Sequence, residues 1–306
     1  MNFAFTEEQE QLRQEARSFL AGRDEPSWSE LVELGWLGVS APEQLGGAGL
    51  GFLEEAVLFE ELGRALYAGP YFATVALALP ALGDEQLAAV AAGKERWSAE
   101  IDGLVPDLAS VDWVVTDEGA ARAEGQELPT MDETRPLGRL ATGERTPLAG
   151  SLDRPRALAA TALEAVGIAQ RALELGIEHA TQRQQFGKPI GVYQAVSHKL
   201  ADTYVETELA RSLAYWAAWC VAERDEQAPV AAAAAKAYAT EAAVAACERA
   251  IQVHGGIGFT WEHVLHRYYK RALWLEAFWG FPAEHRADVA AWALEGARDG
   301  VPVRIA

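Results

Sequence analysis

The feature that most constrains the fold is a nearly continuous helical pattern from Pro155 to the end of the chain. Pro155 suits a first helical turn. A stripe of small residues then recurs at helical spacing and lets a neighbouring helix approach closely: Leu158, Ala162, Ala165, Ala169, Ala172 and Gly176. Further helices are predicted at about 193–223, 230–253, 261–278 and 283–296. Their lengths and spacing predict an antiparallel bundle.

The first 95 residues also favour helices, but glycine-rich turns separate them. Thr6 and Gln9 form a capping-box pattern at the start of the first helix. Between about 96 and 152 the pattern changes, and Trp113–Thr116, followed by a turn, indicates a strand. We therefore predict a mostly α chain with a helical domain over 1–95, a reduced β-domain over 96–152 and a helical bundle over 153–306.

Charge and composition exclude several classes of function. The net charge of −19 argues against binding to nucleic acid or an anionic membrane, because phosphate contacts need clustered lysine and arginine. Cys220 and Cys247 are too few for a zinc site, and His263 and His266 lack a third ligand at suitable spacing. The apolar runs, such as 72–82, are too short to span a membrane, and no signal peptide is indicated. We expect a cytoplasmic protein without a metal.

One segment suited to a dinucleotide follows the first bundle helix. Arg183 and Phe186 precede a Gly-Lys-Pro turn, and Gln194 opens the next helix. An arginine fork at such a turn suits a diphosphate, because it makes two parallel charge-assisted hydrogen bonds. A helix-capping arginine on a surface turn is the alternative interpretation.

A second segment interrupts a later helix with glycines. Gln252 is followed by Gly255 and Gly256, where backbone N–H groups become free and an extended ligand can approach. These glycines follow a helix rather than a strand, and a third glycine is missing. They therefore do not form a Rossmann fingerprint.

Together with motifs nearer the N-terminus, these segments make the chain resemble the acyl-CoA dehydrogenases along nearly its whole length. The matching pieces are Phe5–Gln9, Glu33–Gly38, Pro42–Gly49, Gly167–Ala172, Arg183–Gln194 and Gln252–Phe259. The resemblance implies an N-terminal helical domain, a middle β-domain and a C-terminal four-helix bundle. It also implies FAD, an acyl-CoA substrate oxidised between its α and β carbons, and an acceptor like the electron-transfer flavoprotein.

In such dimers, one subunit lends its arginine turn and its glycine segment to the FAD that its neighbour mainly holds. The resemblance therefore implies six candidate FAD contacts: Arg183, Phe186, Gln194, Gln252, Gly255 and Gly256.

The chain departs from the family at both places where a catalytic glutamate occurs. Counting forward from the glycine segment puts Trp279 at the common position, and counting back from Gly167 puts Ala157 at the minority position. Neither side chain can take a proton from carbon, so no catalytic residue is assigned. Three nearby carboxylates are off register and are expected to be solvated on helix faces: Glu164, Glu174 and Glu276, of which Glu276 is the fallback base.

The flavin-side strand motifs of the family are also missing between 94 and 152. The chain therefore resembles the short, incomplete subunit of heteromeric α2β2 acyl-CoA dehydrogenases, whose full-length partner supplies the base and the β-domain. Such pairs often act on bulky thioesters, including steroid side chains. Two alternatives remain open: a self-sufficient dehydrogenase that uses Glu276, and a non-flavin scaffold that binds CoA or is purely structural.

Overall fold

Four helices and short helical turns build the N-terminal part. The computed structural model describes residues 5–21 and 26–298, apart from the side chains of 296–298. The helices are α1 (Glu7–Leu20), α2 (Trp28–Glu33), α3 (Phe52–Ala65) and α4 (Asp84–Ala91). The predicted capping box is present, since the hydroxyl of Thr6 accepts from the N–H of Gln9 and the Gln9 side chain accepts from the N–H of Thr6. Between α3 and α4, a π-helical segment is fully buried over Phe72–Ala78.

The middle region folds into two small sheets. Their strands are β1 (Trp97–Ala99), β2 (Val105–Pro106), β3 (Trp113–Thr116), β4 (Gly119–Arg122), β5 (Gly125–Leu128) and β6 (Leu137–Leu140). The strand orders are β1-β3-β4 and β2-β6-β5, and only the β1–β3 pair is parallel within these sheets. The hydroxyl of Thr74 accepts from the N–H of Trp97 and donates to its carbonyl oxygen, which attaches β1 to the N-terminal part.

Long helices dominate the rest of the chain. They are α5 (Arg154–Gln182), α6 (Gln194–Ala222), α7 (Ala228–His254), α8 (Leu265–Ala277) and α9 (Pro282–Arg298), with a hairpin of β7 (Gln184–Gln185) and β8 (Lys188–Pro189) between α5 and α6. The predicted stripe of small residues is buried on α5. The mostly α architecture of three regions is thus confirmed. No helix in the described ranges combines the length and apolarity that a membrane span needs.

Helices α3 and α5 cross with their backbones in direct contact. A Cβ atom added to Gly63 would lie 2.3 Å from the carbonyl oxygen of Glu164, and one added to Gly167 would lie 2.0 Å from that of Glu60. Real Cβ atoms do not approach carbonyl oxygens so closely, so both positions need glycine. The crossing joins the N-terminal part to the bundle without an intervening layer of side chains.

Candidate functional site

Trp279 stands in a left-handed turn directly after α8. Its φ is +52° and that of Gly280 is +103°. Lys236 of α7 is fully buried and donates hydrogen bonds to the carbonyl oxygens of Glu276, at 2.8 Å, and Gly280. A helix end leaves such carbonyls without partners, so the lysine fixes the turn and with it Trp279. Burial lowers the pKa of Lys236 to about 8, and burial also lowers the pKa of neighbouring His285 to about 4.

Trp279 helps to line a mostly apolar cavity of about 270 Å³ between α8 and the middle region. Trp274 and Phe278 line the same cavity, and their rings stack with centroids 4.7 Å apart. Asp102, exposed in the turn between β1 and β2, is the carboxylate among the lining residues. No sequence pattern pointed to Asp102, because a turn residue far along the chain from α8 belongs to no motif.

The other candidate base positions offer no carboxylate to this cavity. Ala157 is buried within α5. Glu276 is half-buried but does not line the cavity; burial raises its pKa, and the carboxylate of Glu241 on α7 adds to the effect. Glu174 is also half-buried, and its oxygen lies 2.7 Å from a guanidinium nitrogen of Arg64.

Beneath the cavity-lining aromatics lies a buried charge cluster, made of Asp107, Asp132, Arg135, Glu164 and Arg271. Arg271 of α8 donates to Asp132, to Glu164 and, at 2.7 Å, to the carbonyl oxygen of Thr134. Arg135 donates to Glu164 at 2.8 Å. The expectation that Glu164 is solvated is therefore wrong. Its place on α5 faces the middle region and α8, where two arginines neutralise it.

Little free space surrounds Arg135 and Glu164 of the charge cluster. The guanidinium of Arg135 packs over the rings of Phe72 and Trp274, at 4.6 and 5.1 Å from their centroids. The adjoining cavity measures about 10 Å³, which is the size of one water molecule. Asp107 Oδ2 lies 4.0 Å from Arg135 Nε, and burial raises the pKa of Asp107 to about 6. Arg135 and Glu164 are therefore closed to any organic group.

The Arg183 segment is, by contrast, open to solvent. Arg183 directly follows α5, and within the described ranges its guanidinium forms no ion pair with a carboxylate. Phe186, in the hairpin with φ +52°, is 92% exposed. Gln194 is exposed at the start of α6.

The glycine segment is open as well. Gln252 is exposed in the last turn of α7, and Gly255 has φ +66°. A Cβ atom at Gly255 or Gly256 would meet nothing within 4 Å. The backbone here is accessible to a ligand from outside the chain.

A row of three imidazole rings, with one stacked pair and one tilted pair, connects the two open segments. The ring of His179, in the last turn of α5, lies 4.2 Å from that of His254 at the end of α7, and His263 lies 4.4 Å from His254. Burial lowers the pKa of His179, and the positive charges that His254 and Arg183 can carry act in the same direction. The stack places both segments at one end of the bundle, and we call residues 183–194 and 252–261 the bundle tip.

Apolar side chains are exposed throughout the bundle tip. They are Phe186, Val192, Ile257, Phe259 and Trp261, with Phe259 at 79% exposure. Large exposed apolar patches mark surfaces that another molecule covers.

Two family models match the chain: residues 6–89 match the N-terminal domain of acyl-CoA dehydrogenase, and residues 150–294 match its C-terminal domain. Over 269 residues the chain is 38% identical to acyl-CoA dehydrogenase IpdE2 of Mycobacterium tuberculosis, with 82% of this chain and 81% of that protein covered. It is 34% identical over 312 residues to acyl-CoA dehydrogenase FadE34 of the same organism, covering 92% of this chain but 44% of that protein. A solved structure of the Tcur3481-Tcur3483 steroid ACAD G363A variant matches with a TM-score of 0.83 and 26% identity, covering 95% of this chain and 99% of that one.

Proposed function

Because the chain belongs to the acyl-CoA dehydrogenase family, we propose that it is the non-catalytic subunit of a heteromeric, FAD-dependent acyl-CoA dehydrogenase. The assembly oxidises an acyl-CoA thioester between its α and β carbons. A full-length partner supplies the base and most of the flavin site. This chain lends the bundle tip to that site.

The observation that carries the proposal is the exposed Arg183 beside Phe186 in the bundle tip, which forms no ion pair with any carboxylate of the described residues. An exposed guanidinium without a carboxylate keeps its donors free for two parallel hydrogen bonds to a diphosphate. Phe186 is 92% exposed, and so large an apolar surface favours a covering molecule.

The other tip residues fit the same ligand. Gly255 and Gly256 leave room for a ligand against the backbone, and Gln194 and Gln252 keep their amides free of side-chain hydrogen bonds within the described ranges. Six residues would therefore hold the diphosphate half of FAD: Arg183, Phe186, Gln194, Gln252, Gly255 and Gly256. When bound, the flavin would supply the acceptor for the hydride that leaves the β-carbon.

Trp279 supports the non-catalytic assignment. Proton abstraction needs a group that can accept a proton within hydrogen-bond reach of the α-carbon. An indole cannot accept that proton, and the hydrogen bonds of Lys236 hold the turn in place. Under this proposal, a carboxylate of the partner does this step.

The relatives support a second, unlike subunit and a bulky substrate. The chain spans 44% of FadE34, which leaves length in that protein for another unit of similar size. The matching solved structure pairs two gene products and is described as a steroid ACAD. A CoA thioester of a steroid side chain is therefore the substrate class that we propose.

Expression alone and with a full-length acyl-CoA dehydrogenase from the same gene cluster tests the proposal. Alone, the chain should be colourless and inactive. Together, the two chains should form an active complex with one FAD per pair of different chains, measured by flavin absorbance and native mass. Yellow, active protein from this chain alone would contradict the proposal, and a colourless complex would favour the scaffold.

A self-sufficient dehydrogenase is the second candidate, because the pKa of Glu276 is raised and Asp102 lines the cavity beside Trp279. In the assembled enzyme, Glu276→Gln and Asp102→Asn should each leave turnover nearly intact. Loss of a true base costs at least about 100-fold. A loss of that size with flavin still bound would identify the base in this chain.

A further inference from the structure

A second cavity, of about 400 Å³, lies where the three regions of the chain meet, and we call it the junction cavity. Ala68 comes from the N-terminal part, Asp132–Thr134 from the middle region, and Trp261, His266, Arg267 and Lys270 from the bundle. The volume falls within the range of about 300–1,000 Å³ that small-molecule sites occupy. None of the six candidate FAD contacts lines it.

Hydrogen bonds to Asp132 fix the loop over 132–134, which forms one wall of the junction cavity. The carboxylate of Asp132 accepts from buried Arg271 and, at 2.9 Å, from the N–H of Thr134. These bonds hold the loop in place and neutralise the charge of Asp132. Glu133 is then the remaining acid of the lining, against the cations Arg267 and Lys270. On a chain with a net charge of −19, this cavity is locally positive.

Trp261 gives the cavity an aromatic wall. Its side chain is 76% exposed, yet Lys270 Nζ lies 4.4 Å from the ring centroid and His266 meets the ring edge-to-face at 4.8 Å. Both contacts hold a large apolar surface in the open. A planar group can stack on such a surface regardless of the donors and acceptors at its edge.

His266 adds an unused polar atom. Its Nδ1 is shielded from solvent and has no hydrogen-bond partner in the part of the chain that the structure describes. His266 lies in the first turn of α8, where the positive end of the helix dipole favours an anion. Arg267 stands in the same turn.

We propose that the junction cavity binds an adenosine diphosphate moiety, with the base against Trp261 and the phosphates at Arg267 and Lys270. Stacking accounts for the exposed indole, and charge-assisted hydrogen bonds account for the two cations. Free nucleotides, CoA and FAD all carry this moiety. Trp261 also belongs to the bundle tip, but none of the six candidate FAD contacts lines the site, so this inference does not depend on the proposed function.

The test is isothermal titration of the chain, or of its co-purified complex, with ADP. Arg183→Ala is the background, because it disables the bundle tip. ADP should bind saturably, and inorganic pyrophosphate should bind more weakly because it cannot stack. Lys270→Ala and Trp261→Ala should each weaken ADP binding about 10-fold, whereas Trp261→Phe should stay within about 3-fold.

Lys94→Ala is the matched control, since Lys94 is exposed and does not line the cavity. It should leave ADP binding unchanged. Absence of ADP binding would overturn the proposal. Folded Lys270→Ala and Trp261→Ala variants that bind ADP as tightly as the background protein would also overturn it. Parallel titrations with CoA and FAD show which larger molecule supplies the moiety. ADP binding requires neither flavin nor partner, so its outcome is independent of the subunit assignment.

Discussion

Two arginines show how differently the chain treats its interior and its tip. Arg271 is buried and donates to Asp132, Glu164 and Thr134, so its donors are used within the chain. Arg183 is exposed and forms no ion pair with a carboxylate in the described ranges. The charge cluster therefore stabilises the fold, while the bundle tip keeps its hydrogen-bonding capacity for something outside it.

The same contrast holds for the space around the two regions. The cavity beside Arg135 and Glu164 measures about 10 Å³, whereas a Cβ atom at Gly255 would meet nothing within 4 Å. Substitutions in the cluster should thus change stability, and substitutions in the tip should change binding.

The largest effect is expected from Arg271→Met. It leaves the buried carboxylate of Asp132 uncompensated and removes one of the two arginines that pair with Glu164. Breaking such a buried network costs about 3–5 kcal/mol. Urea unfolding followed by circular dichroism measures the loss. Arg154→Met is the control, because its pair with Asp288 is exposed on both sides and should contribute less than about 1 kcal/mol. Equal losses of stability in Arg271→Met and Arg154→Met would show that the buried cluster contributes no more to stability than an exposed ion pair.

Lys236→Met should reveal a buried charge through its pH dependence. Burial lowers the folded-state pKa of Lys236 to about 8, so between pH 8 and 10.5 the unfolded chain holds the extra proton. The wild type should therefore gain stability with rising pH over that window, by about 2–3 kcal/mol relative to the variant. Parallel denaturation curves at pH 7.5 and 10 measure the difference. If the stability difference between wild type and Lys236→Met were the same at both pH values, that result would contradict the buried position of the amine.

Arg183→Ala should leave stability within about 0.5 kcal/mol of wild type, as expected for an exposed side chain. FAD affinity of the co-purified complex should fall by about 1.5–3 kcal/mol, because the diphosphate loses charge-assisted hydrogen bonds. Flavin retained after dialysis and the dissociation constant report the loss. Arg183→Lys keeps the charge but not the fork, so its FAD affinity should lie between those of wild type and Arg183→Ala. Unchanged flavin affinity in Arg183→Ala would remove the tip from the flavin site.

The smallest effect concerns the imidazole stack. Burial lowers the pKa of His179 and of His263, so the unfolded chain binds protons first and stability falls as the pH drops below about 6.5. His179→Phe keeps a stacked ring that cannot be protonated. The loss of stability between pH 7.5 and 5.5 should therefore be smaller than in wild type. His198→Phe, an exposed position on α6, should not change it.

Local patterns predicted the helices, the capping box at Thr6 and the strand Trp113–Thr116, because each depends on neighbours in sequence. The burial of Glu164 escaped prediction, since the position looks like any helix face. Its partners Arg135 and Arg271 lie 29 and 107 residues away. The periodicity of apolar residues in the sequence does not indicate pairs so far apart.

The candidate site divides in the same way. The resemblance supplied the tip residues as motifs, but it gave no hint that His179 and His254 stack to join them. The junction cavity was also missed. Its lining comes from three regions that only the tertiary fold brings together.

The crossing at Gly63 and Gly167 has a mechanical consequence. A layer of side chains can shear by changing rotamers, but here carbonyl oxygens lie where any added carbon would collide. Interiors packed this tightly transmit displacement rather than absorb it. Helix α5 runs for 29 residues from the middle region to the bundle tip. A displacement of the bundle tip should therefore move α3 and α5 as one rigid body, with no hinge between them.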